Sequence, residues 1–129
     1  MKRFTLGLVM MASTSVGLLA STSVLAGFKT AQQVFIFDAG QFANGNLGYA
    51  RNTSDATQFI GCWNDGTTGH CYAANSAGTY RQCSTSDPGM LAAIRSLNGD
   101  SYLLFYWNSG GQCTYIQVEN SSVTTPKGP

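Results

Sequence analysis

The chain has 129 residues, of which 10% are charged and 43% are hydrophobic, and its formal net charge is +1. The chain has seven Lys and Arg residues and six Asp and Glu residues. Without Lys2 and Arg3, which lie in the first 26 residues, the remaining chain has five basic and six acidic side chains. A net charge of about −1 argues against nucleic acid, which requires a basic surface, and against electrostatic attraction to anionic membranes.

The first 26 residues have the three parts of a secretory signal peptide. A short basic start precedes an uncharged, apolar stretch over residues 4–25, and Val24-Leu25-Ala26 offers small residues to a signal peptidase. The alternative is a transmembrane anchor, but several Ser and Thr residues interrupt the stretch and no charged stop-transfer cluster follows. We expect a cleaved signal peptide (1–26) and one secreted domain (27–129), extracellular or periplasmic, with no transmembrane segment.

The secreted domain begins with a strand pattern. Residues 33–37 are rich in β-branched and aromatic side chains and predict a strand that ends at Asp38-Ala39-Gly40. Asn44-Gly45-Asn46 predicts a turn, after which a strand is expected to resume over residues 47–51. The polar residues 52–55 predict a further turn in which Asn52 or Asp55 bonds to nearby backbone and Arg51 pairs with Asp55, the alternative being a polar recognition site.

Residues 57–83 predict a meander of three short strands. The strands cover residues 57–63, 70–74 and 79–83. A polar loop over residues 64–69 joins the first two, and a tight turn at residues 75–78 joins the last two, with Gly78 in a left-handed conformation.

One short amphipathic helix follows the meander. Asp87 is a suitable N-cap, Pro88 fits the first helical position, and Gly99 stands just past the end. Between them, four apolar residues recur at helical spacing and predict one buried face: Met90, Leu91, Ile94 and Leu97.

The last predicted element is a hairpin formed by residues 102–107 and 112–119. A turn centred on Ser109 and Gly110 would place Leu103 opposite Ile116 and Phe105 opposite Thr114. One face would hold Leu103, Phe105, Trp107, Ile116 and Val118, and the other Tyr102, Leu104, Tyr106, Cys113 and Tyr115. Because both faces are apolar, we expect a central hairpin covered on both sides, followed by a frayed tail from about residue 121.

The predicted elements define the fold class. Short strands, turn signals and a single short helix indicate an all-β domain, either a small sandwich or a rolled antiparallel sheet of five to seven strands. The helix is expected between the third strand of the meander and the last hairpin.

Four cysteines lie in the secreted part, at Cys62, Cys71, Cys83 and Cys113. Their even number predicts two disulfides, since no pair has the close spacing of a structural zinc site. Cys62 and Cys83 stand on strands separated by a third, about 10 Å apart and beyond disulfide reach. We favour Cys62–Cys71 with Cys83–Cys113, and Cys71–Cys83 with Cys62–Cys113 is the alternative.

The sequence contains few candidates for catalysis. His70 is the one histidine, and with Asp65 in the adjoining loop it could act as an oriented general base, although an exposed loop-edge histidine is the simpler interpretation. Asp55 and Asp65 form no convincing carboxylate pair, and Asn64-Asp65-Gly66 predicts a turn rather than a calcium loop. We therefore assign no catalytic residue, metal site or cofactor.

Aromatic residues on the predicted strands are the other candidate for function. Trp63, Tyr72, Tyr80, Tyr102, Tyr106, Trp107 and Tyr115 either fill the core or form an exposed stripe that binds sugar or peptide. Trp63 is the best candidate for exposure because it flanks a polar loop. We predict Trp63, Tyr72 and His70 as the residues that contact a ligand.

Several segments also resemble a known group of proteins. These are the run from Ala50 to Cys62, the segment Ser101-Tyr102-Leu103-Leu104-Phe105, and the ending from Cys113 to Ser122 before Pro126-Lys127. Together they resemble small secreted proteobacterial proteins that contain two disulfides and have no established function, over roughly residues 47–127. The resemblance implies a bacterial source and an exported disulfide-bonded domain, and it brings no catalytic residues.

Three functions are compatible with these observations. The first is a secreted, non-enzymatic domain that binds an extracellular or cell-envelope ligand through loops or exposed aromatic residues. The second is a structural subunit of a surface assembly, in which the strand at residues 33–37 adds to the sheet of another copy. The third is a small secreted hydrolase. Exposed aromatic residues favour the first, and a long unprotected edge strand favours the second.

Overall fold

The structure is a computed structural model, and it describes residues 28–126. The predicted signal peptide therefore lies outside the described residues, and its cleavage near Ala26 stays a prediction. In chain order the elements are β1 (Phe35–Phe37), β2 (Phe42–Asn46), α1 (Leu47–Asn52), β3 (Phe59–Asn64), β4 (Gly69–Ala74), β5 (Tyr80–Thr85), α2 (Pro88–Arg95), β6 (Tyr102–Trp107) and β7 (Cys113–Glu119).

The strands form two antiparallel sheets, which confirms the predicted fold class. One sheet has the order β1-β2-β6-β7, and the other has the order β3-β4-β5. The inner faces of both sheets contribute to one core, in which Leu103 and Phe105 meet Cys71 and Ala73 at 0% exposure. Helix α2 adds Ile94 to this core.

The meander and α2 were predicted from local signals and are confirmed. In β3 and β4, Cys62 lies directly opposite Cys71, and the two are bonded. The second bond, Cys83–Cys113, joins β5 to β7 and so ties the two sheets together. The Asp87 carboxylate accepts the Met90 N–H at 2.9 Å as the N-cap of α2.

Strand β2 was wrongly predicted as a turn at Asn44-Gly45-Asn46. The residues are typical of turns, but here they hold the preceding segment against the sheet. Asn44 Oδ1 accepts from Gln32 Nε2, and the buried Asn46 donates its Nδ2 to the Thr30 carbonyl. A Cβ built on Gly45 would lie 3.2 Å from the Cα of Val34, so the close approach of that segment favours glycine.

Helix α1 occupies residues 47–52, where a strand was expected. Its first residue, Leu47, donates its N–H to the Ser101 carbonyl, and Ala50 is buried in the core. The predicted pairing of Arg51 with Asp55 is also wrong. The other part of that prediction is confirmed, because Asp55 bonds to nearby backbone and accepts the N–H groups of Thr57 and Gln58.

The last hairpin forms, but its predicted register is wrong by two residues. Phe105 lies opposite Ile116 and Leu103 lies opposite Val118, because Asn108 bonds to Gln112 across a longer turn. A shift of two preserves which face most side chains occupy. A bulge next to Tyr106 and Trp107 moves Cys113 to the inner face, where it reaches Cys83.

The prediction that this hairpin is central and covered on both sides is wrong. Strand β7 is an edge of its sheet, and on the outer face of the sheet Tyr102, Leu104 and Tyr106 are only partly buried. Tyr115 on that face is 49% exposed. The strands within residues 28–126 form two sheets, and the hairpin buries the face that meets the other sheet.

The C-terminal segment lies against the beginning of the described chain. Thr30 donates its N–H to the Val123 carbonyl at 2.7 Å, and the Thr124 side chain is buried. Asn52 Nδ2 bonds to the carbonyl of Pro126. Over residues 121–126 the structure thus shows a docked segment where the sequence predicts a frayed tail.

Candidate functional site

Four aromatic side chains form one line across the outer face of the four-stranded sheet. The register places Phe37 opposite Phe42, Phe42 opposite Tyr106, and Tyr106 opposite Tyr115. Each strand therefore contributes one ring at the same level. We call Phe37, Phe42, Tyr106 and Tyr115 the aromatic row.

The rings of the aromatic row are in contact from one edge of the sheet to the other. The distances between ring centroids are 5.6 Å for Phe37 and Phe42, 5.2 Å for Phe42 and Tyr106, and 6.0 Å for Tyr106 and Tyr115. Phe35 adds a fifth ring, 6.0 Å from Phe42. These are the separations of favourable tilted and edge-to-face pairs, so the rings support one another in place.

The row is open to solvent at both ends. Phe37 is 46% exposed and Tyr115 is 49% exposed, and Phe35 beside them is 48% exposed. Large apolar side chains that share one exposed patch, rather than being scattered singly, are typical of interaction sites.

A polar groove lies beside the row on the same face. Its cavity volume is about 370 Å³. The residues that line it carry hydroxyl, amide and carboxylate groups together with one valine, and we call them the polar groove: Thr30, Gln32, Asn46, Tyr102, Gln117, Glu119, Val123 and Thr124.

Two contacts connect the groove to its surroundings. The Tyr115 hydroxyl donates to Gln117 Oε1 at 3.3 Å, which joins the row to the groove. Ser121 Oγ donates to Glu119 Oε1 at 2.7 Å. Burial, together with the nearby Glu119 carboxylate, raises the pKa of Tyr102, which disfavours a second negative charge beside Glu119.

The predicted ligand contacts lie together on the other sheet. Trp63 and His70 are opposite one another on β3 and β4, and their rings stack at 4.4 Å with an angle of 20°. Trp63 is 49% exposed, as expected. Tyr72 lies two residues along β4 and contacts Phe59, which also contacts Tyr80.

The structure does not join His70 to Asp65 as a catalytic pair. Asp65 Oδ1 accepts the N–H groups of Thr67 and Thr68, which lowers the pKa of the carboxyl and closes the loop between β3 and β4. The predicted turn is thereby confirmed, with Gly66 at a φ of 101°. His70 contacts the Trp63 ring and lines neither the polar groove nor the cavities beside α1, around Asp87 and near Asn98.

Those other cavities differ in chemistry. One is mostly apolar and is lined by residues of α1 and β3. A second, with a volume of about 510 Å³, is lined by Ser, Thr and amide side chains around Asp87 and Gln112. A third, of about 200 Å³, lies near Asn98 and Asn120. Within residues 28–126, no three His, Cys, Asp or Glu side chains are placed to share a metal ion.

The row was missed because its signal is tertiary. Phe42 lies in a segment whose composition predicts turns. In addition, the pairing of β2 with β6 joins residues that are far apart in sequence. The alternation in β6 did identify the face of Tyr106 and Tyr115, although that face was expected to be covered.

No family model, curated protein or solved structure matches this chain. Neither helix in the described part of the chain is long and apolar enough to cross a membrane. The two disulfides are compatible with an oxidising compartment.

Proposed function

We propose that this protein is an exported, non-enzymatic domain that binds a neutral glycan chain on the outer face of its four-stranded sheet. The aromatic row with the polar groove beside it is the observation that carries the proposal. Pyranose rings present C–H faces that pack on aromatic rings, and their hydroxyl groups pair with amides, hydroxyls and carboxylates. The row and the groove supply these two kinds of partner next to each other.

The charge of the site favours a neutral ligand. Glu119 is the one charged side chain among the residues of the row and the groove. A strongly anionic polymer would meet no cation there, and a cationic one would meet a single carboxylate. Export rests on the predicted signal peptide and is supported by the two disulfides. The sequence resemblance favours a bacterial source.

The edges of the sheets give less support to assembly by strand pairing. Strand β1 has only three residues, and Val34 N before it is bonded to Gln58 Oε1. On β5, Ser84 is bridged to Gln112, and β7 carries a bulge. Short strands, bulges and covered edges are the features by which proteins avoid edge-to-edge pairing.

Affinity electrophoresis through gels that contain neutral polysaccharides tests the proposal. A panel of a β-glucan, a xylan, a mannan and a dextran is suitable, with anionic alginate for comparison. We expect retardation by at least one neutral polymer. The double variant Phe37→Ser with Tyr115→Ser should weaken binding roughly tenfold or more, since it removes both exposed ends of the row.

The matched control is Trp63→Ser with Tyr80→Ser, which removes two exposed aromatic residues from the other sheet. Loss of binding in this control alone would move the site to the predicted Trp63 face and contradict the row. Absence of binding to every polymer, with concentration-dependent dimers that the row variant abolishes, would show that the row serves self-association.

A further inference from the structure

An apolar cavity lies beside α1, and none of its residues belongs to the row or the groove. Its volume is about 350 Å³, near the lower end of the range for small-molecule sites. Most of its lining is apolar, from side chains of α1 and β3, with one exposed arginine: Leu47, Ala50, Arg51, Gln58, Phe59, Ile60 and Gly99.

Arg51 lines this cavity without a described partner. The sequence predicts an ion pair with Asp55, but the Asp55 oxygens accept from the Thr57 and Gln58 N–H groups and from Gln58 Nε2. Across residues 28–126 the only ion pair is the one between Arg81 and Asp38. With respect to residues 28–126, the Arg51 guanidinium therefore keeps its fork of donors available.

The other polar side chain of the cavity is already engaged. Gln58 donates its Nε2 to Asp55 and accepts the Val34 N–H on its Oε1, so both ends of its amide are satisfied. This arrangement holds the wall of the cavity in place. It also leaves Arg51 as the side chain that can recognise a charged group on a ligand.

We infer that this cavity binds a small amphiphilic anion, with the carboxylate on Arg51 and a compact apolar body against Leu47, Ala50 and Ile60. A planar guanidinium matches a carboxylate in a bidentate geometry, which a neutral ligand does not offer. Phe59, whose ring is partly exposed, covers the apolar body. Medium-chain fatty acids have this chemistry and a suitable size.

Isothermal titration calorimetry of the disulfide-bonded protein with octanoate tests the inference. Octan-1-ol is the neutral probe of equal chain length. We expect one saturable site for octanoate and binding of octan-1-ol that is roughly tenfold weaker or more. Arg51→Gln should reduce octanoate affinity to that of the alcohol. Arg95→Gln should leave it unchanged, because Arg95 also stands in the last turn of a helix but donates to the Gly66 carbonyl and does not line this cavity.

A second variant tests the apolar part of the site without touching Arg51. Gly99→Leu adds a side chain at an exposed residue of the lining, where the φ is not in the left-handed region, and should weaken octanoate binding. Equal binding of octanoate by the parent protein and by Arg51→Gln would overturn the inference. So would the lack of saturable octanoate binding when thermal unfolding shows the protein to be folded.

Discussion

At the scale of single residues, short polar side chains close the loops of this domain. Each uses one side-chain oxygen to accept two backbone N–H groups of the loop that follows, in the manner of Asx turns: Asp55, Asp65, Asn75 and Asn108. The two carboxylates that invited a catalytic interpretation therefore hold turns. Both carboxylates accept hydrogen bonds from backbone N–H groups.

Asp55 should make the stability of the fold depend on acid pH. Hydrogen bonds from the Gln58 backbone and side chain and from the Thr57 backbone lower its pKa from 3.8 to about 2. A pKa that is lower in the folded state means that the ionised form is stabilised by folding. This contribution is complete above the unfolded pKa and is lost as the pH falls from about 5 towards 2.

Urea unfolding between pH 2 and pH 6 measures this effect. We expect Asp55→Ala to be less stable than the parent at pH 6, with the difference in unfolding free energy shrinking as the pH falls. Asn75→Ala is the control, because Asn75 accepts the Ala77 and Thr79 N–H groups in a similar turn without a charge. A difference for Asp55→Ala that stays constant across this pH range would contradict the prediction.

At the scale of elements, the sequence predicted correctly the helix and turns that local residues determine. It failed for the elements whose structure depends on contacts with residues distant in the chain. The cap at Asp87 and the apolar spacing after it sufficed for α2, and the turn at residues 75–78 sufficed for the meander. Strand β2 is held by pairing with β1 and β6, and α1 packs on β3. Neither could be inferred from residues 42–52 alone, because their own composition is that of turns and mixed structure.

The contact between α2 and β4 depends on a glycine at one position. A Cβ built on Gly69 would lie 2.5 Å from Ile94 Cδ1 and 3.0 Å from Leu91 Cδ2, and both side chains are buried. We expect Gly69→Ala to push the helix outwards and lower the unfolding free energy by roughly 1–3 kcal/mol, as overpacking does.

Gly61→Ala is the matched control in the neighbouring strand. Its Cβ would lie 3.6 Å from the Tyr72 hydroxyl, which is an ordinary contact. Chemical denaturation of both variants gives the comparison, and the Gly61 variant should stay close to the parent. If the two variants lose the same stability, the close approach of α2 does not explain Gly69.

At the scale of the whole molecule, the sequence predicted an all-β domain, either a small sandwich or a rolled sheet, and placed the candidate ligand contacts on strands of the three-stranded sheet. Trp63, Tyr72 and His70 come from adjacent strands, so local pairing brings them together as predicted. The aromatic row requires strands from both ends of the domain to pair, as when Phe42 meets Tyr106. The sequence contains no local pattern that predicts the aromatic row, because its residues come together only when these strands pair.

The two disulfides have different tasks in this architecture. Cys62–Cys71 joins neighbouring strands of one sheet that are already hydrogen-bonded, and it closes a separation of 9 residues. Cys83–Cys113 joins the two sheets and closes a separation of 30 residues. Constraining the unfolded chain over these loops stabilises the fold by about 2.6 and about 3.6 kcal/mol, respectively, in the chain-entropy estimate.

Removal of each bond by paired alanine substitution should therefore have unequal effects. We expect Cys83→Ala with Cys113→Ala to lose about 1 kcal/mol more unfolding free energy than Cys62→Ala with Cys71→Ala, because of the longer loop. The difference should grow further if separation of the sheets opens the core. Urea unfolding of both variants measures this difference. Thiol titration of the parent protein establishes that it has no free cysteine. A larger loss from the Cys62–Cys71 pair would mean that the link within the meander, rather than the link between the sheets, limits the stability of the domain.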